Sequence, residues 1–142
     1  MEKGFRHDVE TIGFAFYAMV ELVDLNLPQP EDADPELKDR INGEWDTYFV
    51  ALESFQSAVM TLRDILYHQW ERGGKMNKRL RHSVETTEFA FYAMVELVDL
   101  NLPQPEDAAP EHKALVNNEW DDYRVALEAF QSAAKSLKEV SR

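Results

Sequence analysis

The chain has no cysteine among its 142 residues. That excludes disulfides and thiolate metal sites, and it fits a reducing compartment. Glycine (5) and proline (6) are few and clustered, which suits a helical protein with few turns. Bases are also scarce: 15 Lys and Arg stand against 27 Asp and Glu, for a net charge of −12. This balance disfavours phosphate backbones and anionic membranes and favours a basic partner. No apolar run approaches the ~18–20 residues of a membrane span. The longest, FAFYAMV, stops at Glu21, and the start MEKGFRHDVE is too polar for a signal peptide. These features lead us to expect a soluble, cytoplasmic protein without nucleic-acid or membrane ligands. No glycine-rich loop is present to cradle a phosphate, and no serine sits in a nucleophile elbow.

What the chain does have is a repeat. Residues 14–33 and 89–108 both read FAFYAMVELVDLNLPQPEDA, and residues 7–62 match 82–137 without a gap, with 41 identities in 56 positions. Each copy predicts two helices. In the first, Phe5, Val9, Ile12, Phe16, Met19 and Val23 alternate steps of four and three, the spacing of one helical face. Ala15, Val20, Leu22 and Leu27 widen that face, and Pro28 and Pro30 end the helix.

The second helix is expected to open on Asp34 as N-cap and Pro35 as first residue. It would bury Leu37, Ile41, Trp45, Tyr48, Leu52, Phe55, Val59, Leu62 and Leu66, and end at Gly73–Gly74. In the second copy Ala109 takes the cap position, at a cost of about 1 kcal/mol.

A lone hairpin would expose one wide apolar face, and two copies can bury those faces against each other. The expected fold is all-α: a four-helix bundle of two tandem helical hairpins with pseudo-two-fold symmetry. We divide the single domain 1–142 into hairpin repeat 1 (1–72), a basic linker (73–81) and hairpin repeat 2 (82–142). The second helix of copy 1 ends in an apolar tip, 65–70, that copy 2 lacks.

A polar stripe on the first helix carries the candidate site. His7, Glu10, Phe14, Tyr17, Glu21 and Asp24 recur as His82, Glu85, Phe89, Tyr92, Glu96 and Asp99, at alternating steps of three and four. The stripe lies opposite the apolar seam, so two aromatics and several acids share an outer face, and such patches mark contacts. Glu21 and Asp24 sit in the last turns of the helix, where the dipole disfavours acids. The start of the second helix, with Lys38 or Lys113, would compensate. Phe14, Tyr17, Glu21, Asp24, Phe89, Tyr92, Glu96 and Asp99 are therefore the expected interaction residues. The partner is another protein, or a second copy meeting through this face or the 65–70 tip.

The alternative is a carboxylate metal site or a metal-dependent enzyme. Glu21-x-x-Asp24 and Glu96-x-x-Asp99 have ligand spacing, and Glu44 and Glu119 lie at the edge of the second-helix face. Pooled over both copies, Glu21, Glu44, Glu96 and Glu119 could form one layer. The Glu-x-x-His of di-metal bundles occurs nowhere. The paired Glu-x-x-Glu of all-α nucleotide pyrophosphohydrolases is missing as well. The leading expectation is therefore a non-enzymatic acidic interaction module without cofactor, which inhibits or regulates a basic or symmetric protein partner.

Overall fold

The computed structural model describes residues 2–65 and 74–140. Four α-helices make up the fold: α1 (Glu2–Asn26), α2 (Lys38–Asp64), α3 (Gly74–Asn101) and α4 (Lys113–Val140). They pack as a four-helix bundle. No helix among the described residues is long and apolar enough to cross a membrane.

The first face packs as its spacing predicts. Phe5, Ile12, Ala15, Phe16, Met19 and Val23 are buried, and so are Leu80, Val84, Ala90, Phe91, Met94 and Val98 on α3. Tyr48, Ala51, Phe55 and Leu62 of α2 and Tyr123, Ala126, Phe130 and Leu137 of α4 complete one core. Four expected core positions differ, and two of them, Val20 and Leu52, are only partly buried against the core. Leu37 is exposed because it precedes α2 rather than riding on it. Trp45 is only half-buried, at the edge of the bundle, where its indole N–H donates to the Pro28 carbonyl at 2.9 Å. Trp120 repeats this bond to Pro103 at 2.9 Å.

The helix starts also differ from expectation. Asp34 contributes its backbone carbonyl, which accepts from the Leu37 N–H at 2.9 Å, so a tight turn precedes α2. In the second repeat Pro110–His112 forms a 3₁₀ turn, with the His112 N–H bonded to the Ala109 carbonyl at 2.8 Å. The backbone thus supplies the start that an Asp or Ala side chain would otherwise decide. α3 begins at Gly74, so residues 74–81 of the expected linker form its opening turns. Arg79 there reaches back to Asp64 of α2 at 2.7 Å. Of the expected apolar tip, Ile65 is buried, and residues 66–70 lie outside the described residues.

The helices are unequally spaced. Backbones approach most closely between the repeats, α2 against α3 and α1 against α4. Within each repeat they stand further apart, because large rings fill the gap. Phe16 of α1 stacks on Phe55 of α2 with centroids 3.5 Å apart, and Phe91 of α3 stacks on Phe130 of α4 at 3.9 Å. Small residues permit the closer approach at the other seam, where Ala51 of α2 and Ala93 of α3 lie together. α1 and α3 touch across the centre, while α2 and α4 are out of contact among the described residues.

Removing a stacked ring should therefore open a cavity that the backbone cannot close. Phe16→Ala or Phe91→Ala should each cost about 3–5 kcal/mol in urea unfolding. A loss under about 1 kcal/mol would mean that the rings do not space the helices.

Candidate functional site

The predicted stripe faces solvent in both repeats. His7, Glu10, Glu21, Asp24 and their counterparts His82, Glu85, Glu96 and Asp99 are exposed. Phe14 is 62% exposed and Phe89 63%. Tyr17 and Tyr92 are partly sheltered. The Tyr17 ring stands edge-on to Phe55 at 5.5 Å, and the Tyr92 ring stands edge-on to Phe130 at 5.8 Å. Each tyrosine thus lids the end of an aromatic stack and presents its outer edge to water.

Asp24 and Asp99 have partners that the sequence reading missed. The Tyr48 hydroxyl donates to Asp24 at 2.7 Å, and the Tyr123 hydroxyl donates to Asp99 at 2.8 Å. These bonds tie each second helix to the C-terminal turn of the preceding one. They supply the compensation expected from Lys38 and Lys113, neither of which pairs with these acids. The signal was present in the sequence as Asp and Tyr at the same separation in both copies. Burial, then the bond to Asp24 and its charge, pushes the Tyr48 hydroxyl well above its ordinary value. The same causes push Tyr123 up to about 12.

The carboxylates do not form one layer. Glu21 and Glu119 line a groove between α1 and α4, whereas Glu44 and Glu96 line another between α2 and α3. Buried Leu22, Val23, Leu97 and Val98, adjacent in sequence to Glu21 and Glu96, pack into the core instead. Glu44 and Glu119 are both only 8% exposed. Arg40 donates to Glu44 at 3.4 Å and Asn101 donates to its other oxygen at 3.4 Å, which neutralises the charge and joins α2 to the end of α3. Leu115 occupies the position equivalent to Arg40 in the second repeat. Among the described residues, no group of three or more His, Asp or Glu side chains is disposed to hold a metal ion.

A groove runs along each close seam, and Glu10, Phe14 and Tyr17 line another of about 510 Å³ against α2. The α1/α4 groove exposes Phe14, Leu25, Leu115 and Val125 beside Glu21, Glu119 and Asp122. The α2/α3 groove exposes Phe89, Tyr92 and Leu100 beside Glu85 and Glu96, and continues to Val50 and Asp46. Leu25 and Leu100 belong to the duplicated twenty residues but not to the predicted stripe. They broaden it into an apolar strip with an acidic margin.

The tyrosine bonds predict an alkaline transition. A fold that raises a tyrosine above its unfolded value of 10.0 holds the neutral phenol more tightly. That stability is complete below pH 10 and is lost as pH rises through about 12. Tyr48→Phe/Tyr123→Phe should lower stability at pH 8 by about 1–2 kcal/mol per tyrosine and flatten its decline between pH 10 and 12. An unchanged slope in denaturant titrations across that range would sink the assignment.

Comparison of the chain with protein-family models, curated proteins and solved structures finds no match.

Proposed function

We propose that the chain is a non-enzymatic, acidic helical interaction module that docks on a basic protein and inhibits or regulates it. One observation carries the reading. Phe14 and Phe89, each more than 60% exposed, lie in apolar grooves margined by carboxylates. Exposing a phenylalanine in water forgoes ~1.5–3 kcal/mol that burial would contribute, and a docked partner recovers it. The net charge of −12 steers basic surfaces toward these grooves and repels a second copy of the chain. Recurrence of Phe14, Glu21 and Leu25 as Phe89, Glu96 and Leu100 suits a partner that is itself two-fold symmetric. A cytoplasmic setting accords with the lack of cysteine.

Affinity capture from a cell extract at low salt, with wild type and Phe14→Ala/Phe89→Ala compared, tests this reading. The wild type should retain basic proteins that the variant loses, since truncating two exposed anchors removes contacts typically worth ~1 kcal/mol or more each. Both proteins should sediment as monomers. Unchanged partners would remove these faces from the function.

A further inference from the structure

The two seam grooves are not equivalent, and their differences point to one of them. The α2/α3 groove has a volume of about 880 Å³, against about 410 Å³ for the α1/α4 groove. The larger lining extends to Glu85, Glu88 and Tyr92, and its second wall differs in sequence from that of the smaller groove. Where α4 carries Asn118 and Asp122, α2 carries Gly43 and Thr47. A Cβ built on Gly43 would meet nothing within 4 Å, so this wall of the groove is open space.

Along its first helix the larger groove has the longer lining. Its lining on α3 runs from Glu85 to Leu100, about 22 Å at ~1.5 Å per residue. The lining on α1 runs from Phe14 to Leu25, about 16 Å by the same measure. The α2 wall, from Arg40 to Ala51 where the groove continues, is about 16 Å long, so about three turns of a second helix are walled on both sides. Its apolar residues on α3, Phe89, Ala93, Leu97 and Leu100, step along one face at helical spacing. That is the floor an amphipathic helix needs for anchors at i, i+3 or i+4, and i+7. Glu85 and Glu96 stand exposed beside this floor, with Asp46 where it continues. The one basic residue in the lining, Arg40, is engaged by Glu44.

We propose that the α2/α3 groove binds a basic amphipathic helix of a partner protein, its aliphatic anchors on Phe89, Ala93, Leu97 and Leu100 and its Lys or Arg residues against Glu85, Glu96 and Asp46. This rests on the reading of the chain as an acidic interaction module. It adds the shape, polarity and location of what is bound. A second copy of the chain does not fit, because its acids would meet these acids.

The test uses a synthetic peptide of about 18 residues, leucines along one helical face and lysines elsewhere, titrated calorimetrically into the full chain. One peptide per chain should bind, with affinity falling as salt rises. Gly43→Gln should weaken it at least tenfold, since the new side chain enters the groove while the helix itself loses a glycine. Phe89→Ala/Leu100→Ala should do the same, and Phe14→Ala/Leu25→Ala should leave affinity within twofold. Thermal melts of each variant verify that it is folded. A polylysine of equal charge that bound as tightly would overturn the inference, as would equal losses from the two groove pairs or no binding to wild type. Any of these failures leaves the capture experiment with Phe14→Ala/Phe89→Ala to decide the broader reading separately.

Discussion

The stacks of Phe16 on Phe55 and Phe91 on Phe130 set the spacing on which the rest of the bundle depends. A pair of parallel rings between two helices holds their axes apart, and close-packed interiors do not tolerate the void that a narrower side chain would leave. The remaining apolar surface must then be buried elsewhere. It is buried between the repeats, where alanines such as Ala51 and Ala93 let backbones come close. α1 and α3 meet across the centre, and α2 and α4 are kept to the outside. Each repeat thus depends on the other: its own helices are joined by rings, but its closest backbone contacts belong to its neighbour.

The same spacing shapes the surface. At a close seam the outward residues of two helices converge into a groove walled by apolar and acidic side chains. Phe14 and Phe89 line these grooves from the outward side of their helices. Acids collect there too, and the two Asp–Tyr bonds show how they are tolerated. A carboxylate at a helix C-terminus opposes the dipole, and a phenol donated from the next helix offsets that while fastening the turn. Glu44 is held by different means, between Arg40 and Asn101, and its repeat counterpart Glu119 has Leu115 in place of that arginine. Between the repeats the groove walls differ at Arg40, Gly43 and Thr47 against Leu115, Asn118 and Asp122, and buried positions differ too, as at Ile12, Ile41 and Val59 against Thr87, Val116 and Ala134.

Much of the fold was legible in the chain. Steps of three and four picked out Phe5, Val9, Ile12, Phe16, Met19 and Val23, all buried, because helical periodicity maps directly onto one face. The prolines after Leu27 and the recurrence of the whole pattern led to four helices. Less was legible where neighbours decide. Leu37 looked like a core residue but lies in the turn before α2, and Trp45 looked buried but needs the Pro28 carbonyl at the rim. A layer of Glu21, Glu44, Glu96 and Glu119 looked feasible from helical register, yet register along a helix does not say which seam a side chain faces.

Sequence alone determined the number of helices, their apolar faces, the acidic surplus and the doubling of an exposed Phe-Tyr-Glu-Asp stripe. These are local or compositional properties, set by periodicity, proline and charge. Tertiary structure alone decided which helices lie close and which acids are partnered. It also placed Gly43 on the wall of one groove and its counterpart Asn118 on the wall of the other. Those outcomes depend on the volumes of side chains brought together from distant positions, and no local pattern encodes how rings and alanines will divide the space between four helices.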